Sequence, residues 1–453
     1  MSVASDPSSL ADGPTIAPPR KSLRARAVSG TSWTVVAYGG QNILRFSSNL
    51  VLTRILDPSA FGLMTLTTIF ILGLELLSDV GVGPAIIHSP RGEDPRLLDT
   101  AWTVQIIRGL ALFLGALLIG WPAAHAYSSP ALAWLIAAAG LGIVIRGFTP
   151  TRVHALNRQV VLGRLTAMEL SCQVFSIAVT IGASWALRSV WGLLIGSLAG
   201  DVARVVLSFA LLPGHRHRWL LDRDAVGEIV RVGRWIILST AVTYAANNLD
   251  RLVMGRLLSV RDVGVYSIAF QIVMAVTGLG RALGSRVLFP ILAETARQSR
   301  EKLYPRLRQG RALWILPTVA ALLVLSIWGD VAIRLLYKAP YQAAGWMLRV
   351  LAAGSIFAAI NQATGVVWPA LGEFRMIAVL MVVQVPVLLA TTLLGHRWYG
   401  VGGFVVGAAA VELIMFPLQS WLVQRRHKLW QPDLDLPVIA ISLMVVALGA
   451  FLR

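Results

Sequence analysis

The sequence predicts an all-α polytopic membrane protein with about 12 to 14 transmembrane helices, in two parallel-repeat six-helix lobes around a central cavity. Of the 453 residues, 56% are apolar and only 14% are charged, whereas a soluble domain has roughly 25% charged residues. Apolar runs recur along the chain, and a helix needs about 20 apolar residues to span the hydrocarbon. An internal repeat divides these runs into two sets.

The apolar runs place the helices in order along the chain. The first lobe, 29–213, has helices near 29–53, 61–88, 100–122, 131–147, 164–187 and 190–212. The second lobe, 232–424, has helices near 232–256, 263–285, 312–329, 344–367, 376–395 and 401–423. A shorter additional helix, near 437–452, is predicted within 425–453. Residues 1–28, which begin with a polar Pro- and Ser-containing stretch, are predicted to be a disordered cytoplasmic tail, and 214–231 a cytoplasmic linker.

The positions of the basic residues indicate how the chain is oriented. Cytoplasmic loops of membrane proteins carry an excess of Lys and Arg, and every second predicted loop of this chain is basic. By this assignment about 26 of the 40 Lys and Arg residues, among them Arg146 and those from Arg286 to Arg311, are cytoplasmic. The amino terminus is therefore predicted to be cytoplasmic, where the basic residues before the first helix would contact anionic membrane lipids.

Charge and cysteine content exclude several classes of function. The net charge of +18 does not predict a nucleic-acid partner, because the basic residues lie between apolar segments instead of forming one soluble patch. The single Cys172 cannot form an intrachain disulfide, and no metal-ligand spacing occurs, so no cofactor or metal is expected. No G-x-x-x-x-G-K-[ST] phosphate loop is present, which disfavours an ATP-driven pump.

A shift of 202 residues aligns the two sets of helices without a gap. It pairs Trp33 with Trp235 and Gly62 with Gly264. In context, LTRILDPSAFGLMTL (52–66) aligns with MGRLLSVRDVGVYSI (254–268), and both read as a helix, a short outside turn and a helix. Six helices separate the two copies, so the copies have the same orientation. Parallel repeats of this kind can rock about a central cavity.

Three segments resemble a known family. They are LTRILDPSAFGLMTLTTIFILGLELLSDVGVGPAIIHS (52–89), GRWIILSTAVTYAANNLDRLVMGRLLSVRDVGVYSIAFQ (233–271) and RVLFPILAE (286–294). The chain is similar to Wzx-type oligosaccharide flippases of the multidrug/oligosaccharidyl-lipid/polysaccharide exporter superfamily. The likeness runs in order over nearly the whole chain after the tail.

The resemblance implies a transporter and not an enzyme. Its expected substrate is an undecaprenyl-pyrophosphate-linked glycan, moved from the cytoplasmic to the periplasmic leaflet of a bacterial inner membrane for O-antigen, capsule or exopolysaccharide synthesis. A polysaccharide polymerase and chain-length or export proteins are the expected protein partners. Family members commonly have twelve or fourteen helices, so the thirteen predicted for this chain depart from the pattern at the carboxyl terminus.

Such a substrate requires a polar, cationic cavity. An Arg at the bilayer centre costs at least about 2.5 to 3.5 kcal/mol and therefore usually faces a cavity or a partner, and its planar fork suits phosphate oxygens. The predicted substrate-binding residues are Arg45, Asn42, Arg108, Asn247, Asn248, Asp250, Arg251 and Arg281. The repeat places Asn247 opposite Arg45, so each lobe is predicted to contribute one polar surface.

Several of these assignments have structural alternatives. Arg45 could stabilise its lobe by an ion pair with Asp79 or Glu169. Asp250 and Arg251 could lie together at the outer interface, and Arg281 could be an ordinary cytoplasmic-end residue. Another Arg within a helix, Arg204, is expected to pair with Asp201, three residues before it.

Acidic residues within the predicted helices raise the question of a coupling ion. Asp79, Glu169 and Glu412 could bind such an ion, because a carboxylate in hydrocarbon needs a proton, a cation or a basic partner. The alternative for each is an ion pair with a nearby Arg.

Two other functions compete with the flippase. A multidrug exporter of the same superfamily would be expected to have an acidic cavity for cationic drugs, whereas the charges within these helices favour an anion. A membrane polysaccharide polymerase or ligase would need a sizeable periplasmic loop carrying Arg or His. The longest predicted outside loop, 329–343, is too short for that.

Overall fold

The computed structural model describes residues 23–78, 82–83, 86, 94–151, 153, 162–211, 217–284, 288–298 and 303–451. Within these ranges every regular element is a helix, which confirms the all-α prediction. At two of the predicted domain boundaries, the helices begin earlier than predicted. Residues 23–28, assigned to the tail, and 223–231, assigned to the linker, are helical and extend the helices that follow them.

The helices are numbered in chain order. Those before the linker, called the first half, are α1 (Leu23–Ile55), α2 (Pro58–Leu77), α3 (Pro95–Ala126), α4 (Pro130–Gly147), α5 (Leu162–Leu187) and α6 (Val190–Leu211). Those after it, called the second half, are α7 (Arg223–Leu257), α8 (Val260–Leu283), α9 (Phe289–Gln298), α10 (Leu303–Leu336), α11 (Ala344–Gly365), α12 (Val367–Ala370), α13 (Phe374–His427) and α14 (Pro432–Phe451). A single 3₁₀ turn, Ala339–Tyr341, lies between α10 and α11.

The turns between α1 and α2 and between α7 and α8 occupy equivalent positions. Ile55 ends α1 and Pro58 begins α2, while Leu257 ends α7 and Val260 begins α8. Both helix ends are separated by the 202 residues of the sequence repeat. The local chemistry differs, because α2 begins with a Pro, which fits the first turn of a helix, whereas Ser259 caps α8 in a capping box with Asp262.

α13 corresponds to two predicted helices. It contains 54 residues and bends at Tyr399 and Gly400, whose φ/ψ angles are not helical. Gly400 has φ 57°, a left-handed conformation that costs glycine little because it has no Cβ. The bend falls between the predicted helices at 376–395 and 401–423, so the element crosses the bundle twice.

Nine helices of the described residues are long and apolar enough to cross a membrane. These include α2, α8 and the bent α13, and they support the prediction of a multi-pass membrane protein. α1 and α7 are not among the nine. Both carry the Arg and Asn residues predicted to face the cavity, and these lower their hydropathy.

The buried core is continuous between the two halves. It includes Leu66 of α2, Ala269 of α8 and Ile360 of α11, and each of these three side chains is fully buried. A buried ion pair also joins α14 to the bundle. Arg311 of α10 donates to Asp435 of α14 at 2.7 Å, and both side chains are 0% exposed.

Candidate functional site

A cavity of about 610 Å³ lies between the first and second halves. Residues of α1, α2, α6, α7 and α8 line it, and these include two predicted site arginines, Arg45 and Arg251. No carboxylate of the described residues lines this central cavity, so the charged groups that the structure places on its wall are guanidiniums. A site with two guanidiniums and surrounding amides can bind an anionic group and hydrogen-bond a polar one.

Arg45 contributes one guanidinium from the middle of α1. Its side chain is exposed, and it forms no ion pair within the part of the chain that the structure describes. Of its two alternative partners, Glu169 pairs instead with Arg204 at 3.5 Å, and Asp79 lies outside the described residues. Among the described residues, Arg45 is thus an exposed guanidinium on the wall of the cavity.

Arg251 contributes the second guanidinium from α7, where neighbouring side chains hold it. Its Nη2 donates to Asn248 Oδ1 at 3.1 Å, and its guanidinium lies 4.4 Å from the ring centroid of Phe270. Asn248, which also lines the cavity, donates in turn to the Tyr244 carbonyl oxygen at 3.1 Å. A cation over an aromatic face is attracted by the ring quadrupole, so this guanidinium is preorganised.

Asp250 forms an ion pair with Arg251, with Oδ1 3.5 Å from Arg251 Nε, but it lines a different cavity. Adjacent helical residues point in directions about 100° apart, and Asp250 lines a second, smaller cavity of about 150 Å³ within the second half. Its Oδ2 accepts a hydrogen bond from the Tyr266 hydroxyl at 2.9 Å, and the residue is only 7% exposed. This burial disagrees with the alternative that Asp250 snorkels at an interface.

The smaller cavity also contains Arg281 and Glu412. Glu412 accepts hydrogen bonds from Asn361 Nδ2 at 2.8 Å and from Gln384 Nε2 at 3.0 Å. Glu412 therefore faces a polar cavity and has neutral donors on both carboxylate oxygens. Arg281 lies in this cavity and not in the central one.

The remaining predicted residues lie elsewhere. Arg108 donates to the Ser78 hydroxyl at 3.1 Å and to the Glu75 carbonyl oxygen, within the first half. Neither Arg108 nor Asn42 lines the two cavities described above. The side chain of Asn247 lies outside the described residues. Of the eight predicted residues, three thus line the central cavity and two line the smaller one.

The predicted partner of Arg204 was wrong. Asp201 pairs with Arg146 of α4, which also binds Glu75 at 2.8 Å. Arg146 was predicted to be cytoplasmic, at the end of the helix near 131–147, so this charge cluster of the first half was missed. Spacing along one helix identifies neighbours on that helix, but it cannot show which residue of another helix lies closer.

Sequence reasoning also missed a side-chain bridge in the central cavity. Asn49 Nδ2 of α1 donates to Gln271 Oε1 of α8, and both residues line the cavity. Asn49 lies one turn from Arg45, which is a usable signal. Gln271 is one of several uncharged polar residues in a largely apolar helix, and its sequence context does not distinguish it from the others.

The cavity is closed at the end of the bundle where α1 meets α2 and α7 meets α8, here called the hairpin end. A Cβ on Gly62 would overlap the Val260 carbonyl oxygen, and one on Gly264 would overlap the Pro58 carbonyl oxygen. The repeat relates Gly62 to Gly264 and Pro58 to Val260. The two contacts are therefore equivalents about a local pseudo-twofold axis, as in an isologous interface.

Side chains at the hairpin end add further bonds between the halves. The Tyr341 hydroxyl of the second half donates to the Leu56 carbonyl oxygen at 2.7 Å. The Tyr127 hydroxyl of the first half donates to the Leu252 carbonyl oxygen at 3.0 Å. Lys338 Nζ donates to the Arg54 carbonyl oxygen at 2.7 Å. Each half thus reaches across to a helix of the other.

Comparison with known proteins identifies the family. A family model described as polysaccharide biosynthesis protein matches residues 51–345, more than half of the chain. The chain belongs to this family. This polysaccharide biosynthesis protein is also similar in sequence to several named relatives.

Two relatives show how far this similarity extends. The lipopolysaccharide biosynthesis protein WzxC of Escherichia coli (strain K12) is 23% identical over 459 residues, covering 95% of this chain and 89% of that protein. The teichuronic acid biosynthesis protein TuaB of Bacillus subtilis (strain 168) is 22% identical over 277 residues, covering 60% of this chain and 56% of that protein.

Solved structures show the fold that the family protein adopts. The lipid II flippase MurJ in an inward closed conformation superimposes with a TM-score of 0.73 at 13% identity, covering 91% of both chains. An inward-facing multidrug resistance MATE family transporter of the MOP superfamily gives a TM-score of 0.66 at 14% identity, covering 89% of this chain and 98% of that one. The family model and the WzxC relative confirm the resemblance to Wzx-type flippases, and the solved structures show that the chain shares its fold with a flippase and a multidrug transporter.

Proposed function

We propose that the protein is a flippase that moves undecaprenyl-pyrophosphate-linked oligosaccharide from the cytoplasmic to the periplasmic leaflet of a bacterial inner membrane. The glycan would serve O-antigen, capsule or exopolysaccharide synthesis, with a polysaccharide polymerase and chain-length or export proteins as later partners. The observation that carries the proposal is the central cavity, where Arg45 and Arg251 from opposite halves face a space that no described carboxylate lines.

The chemistry of the cavity matches the anionic part of this substrate. A pyrophosphate offers several oxygens, and each guanidinium can donate two parallel hydrogen bonds to such oxygens. Asn49, Asn248 and Gln271 supply uncharged donors and acceptors for sugar hydroxyls. The polyprenyl chain can remain in the lipid, so only the polar part of the substrate needs the cavity.

Transport would proceed by alternating access between two lobes, 29–213 and 232–424. The amino terminus would be cytoplasmic and the hairpin end periplasmic. In the conformation described, the paired contacts of Gly62 and Gly264 close that end. Opening it requires the halves to separate at α2 and α8, which agrees with the rocking of parallel repeats.

We further propose that Glu412 is the group that couples transport to an ion. It faces the smaller cavity together with Asp250 and Arg281, and its two hydrogen-bond donors are neutral amides. A proton or cation could therefore exchange there without breaking an ion pair between Glu412 and an Arg. Glu169 is engaged by Arg204 and is assigned to ion pairing.

The test is delivery of lipid-linked glycan across the bilayer of reconstituted vesicles by the parent protein, Arg45→Ala and Arg251→Ala. Hydrogen bonds to charged groups contribute about 1.5 to 3 kcal/mol, so each variant is expected to lose roughly ten- to a hundredfold in transport. Arg204→Ala is the matched control, since it removes an intramembrane Arg outside both cavities.

Several outcomes would contradict the proposal. Equal losses in all three variants would indicate a general structural effect. Absence of transport by a well-folded parent given its native glycan would favour the multidrug exporter. That exporter would transport cationic compounds, and its transport would improve when Arg45 or Arg251 is removed.

A further inference from the structure

Asn49 and Gln271 connect the two halves inside the central cavity. Their hydrogen bond joins a side chain of α1 to a side chain of α8. The hydrogen bonds that Tyr127 and Tyr341 make between the halves end instead on backbone carbonyl oxygens. The bridge therefore differs from the rest of the closure in being exposed to the contents of the cavity.

The bridge lies between the Arg45 guanidinium and the closed hairpin end, at about the level of Arg251 on α7. Asn49 follows Arg45 by one helical turn in the direction of the hairpin end. Gln271 follows Gly264 by seven residues, about 10 Å along α8 at a rise of roughly 1.5 Å per residue. A glycan whose pyrophosphate contacts Arg45 would therefore meet this amide pair before it reaches the Gly62 and Gly264 contacts.

The chemistry of the pair permits exchange with a ligand. Each carboxamide has two donor hydrogens and an oxygen with two lone pairs, and the bridge uses one donor of Asn49 and one lone pair of Gln271. Sugar hydroxyls both donate and accept, so they can replace either partner. Neither residue is charged, so the pair does not compete with the guanidiniums for the pyrophosphate.

We propose that the Asn49–Gln271 bridge is a latch on the closed hairpin end, and that hydroxyls of the sugar nearest the pyrophosphate release it by bonding to both amides. The two residues are positioning and specificity-determining residues of the flippase. A ligand shifts a conformational equilibrium only through its different affinity for the two states. Here the difference arises because the Asn49 donor and the Gln271 lone pair that form the bridge become available to sugar only when the two amides have separated. The role in reading sugar depends on the proposed function, whereas the role as a latch does not.

The latch is tested first without glycan. In a Cys172→Ser background, Thr65→Cys places a reporter on α2 within the central cavity. A membrane-impermeant maleimide added to spheroplasts of a host that makes no matching glycan should reach this reporter only through an open hairpin end. Asn49→Ala and Gln271→Ala should each raise the labelling rate about fivefold, the effect of losing one hydrogen bond of roughly 1 kcal/mol.

A double-mutant cycle and an exchange separate the latch from general loosening. The double Ala variant should label no faster than either single variant, because both remove the same bond. Asn49→Gln combined with Gln271→Asn keeps the combined length of the two side chains and should label nearly as slowly as the parent. Unchanged labelling in the single variants, additive single effects, or failure of the exchange would overturn the latch.

Transport then tests the reading of sugar. In reconstituted vesicles each Ala variant should raise the KM for lipid-linked glycan severalfold, and the exchange should restore part of that loss. A merely structural bridge would leave KM unchanged, and this result would overturn the specificity role. If labelling responds as expected but the parent moves no glycan, the latch stands and the proposed function fails.

Discussion

The two halves begin alike and then diverge in how they use their charges. α1 with α2 and α7 with α8 turn at equivalent positions, and their glycines meet in equivalent contacts. On the cavity, however, Arg45 of the first half is exposed and outside any ion pair among the described residues, whereas Arg251 is held by Asn248 and Phe270. The repeat therefore accounts for closure, and residues that differ between the copies account for chemistry.

The level of each Arg on its helix also differs. The shift of 202 pairs Arg45 with Asn247 and Asn49 with Arg251. At these two positions each helix thus carries one Arg and one Asn, but in opposite order. This places the two guanidiniums at different depths, an arrangement suited to a ligand with two phosphates in line and less suited to a single compact anion.

The halves also differ in how deeply their ion pairs are buried, and stability measurements can test this difference. Arg311→Ala leaves Asp435 buried without its ion-pair partner, and breaking a buried pair costs about 3 to 5 kcal/mol. Arg204→Ala in the first half breaks the pair with Glu169, whose members are 45% and 39% exposed. An exposed pair contributes about 0 to 1 kcal/mol.

Thermal unfolding in detergent would measure both variants. We expect a large fall in Tm for Arg311→Ala and almost none for Arg204→Ala. Equal shifts would show that α14 is not held by its buried pair. Combining Arg311→Leu with Asp435→Leu should recover much of the stability, because no charge then remains buried.

The equivalence of the two glycine contacts predicts equal consequences in both halves. Gly62→Ala and Gly264→Ala each place a methyl group against a carbonyl oxygen of the other half. Overpacking of this kind costs about 1 to 3 kcal/mol, so the closed state should lose roughly ten- to a hundredfold in population. The rate at which Thr65→Cys is labelled measures this shift.

Gly182→Ala is the matched control, since nothing lies within 4 Å of a Cβ at that position. It should leave the labelling rate unchanged. If only one of Gly62→Ala and Gly264→Ala strongly raises the labelling rate, the pseudo-twofold interpretation is wrong. Closure would then depend mainly on the contact of one half.

Sequence reasoning reached the fold because the relevant signals are collective. Apolar runs report helices, and the ungapped shift of 202 anticipates the equivalent turns before Pro58 and Val260. Arg45 and Arg251 were found because an arginine in a membrane helix is costly and needs a reason. These features depend on composition, spacing and charge, all of which a sequence displays directly.

What sequence reasoning missed depends on direction and on partners distant in the chain. Asp250 and Arg251 are adjacent, yet they face different cavities. Arg311 was assigned to a loop because α10 was predicted to begin at 312, whereas the helix begins at Leu303 and buries this residue. Gln271 acquires its importance only from Asn49, which lies 222 residues earlier.

The smallest predicted effect distinguishes the two guanidiniums of the cavity. Lys keeps the positive charge but lacks the planar fork. Arg251→Lys loses the geometry shared with Asn248 and Phe270, so we expect about a tenfold loss of transport. Arg45→Lys loses only the fork that would contact the ligand, and a loss of about threefold is expected.

Transport at matched insertion, measured with one lipid-linked glycan, would rank the two variants. A larger loss for Arg45→Lys would mean that the exposed guanidinium makes the bidentate contact and that the held one supplies mainly charge. The asymmetry between the halves would then remain, but its direction would be reversed: the mobile Arg of the first half would recognise the phosphate, and the fixed Arg of the second would attract it.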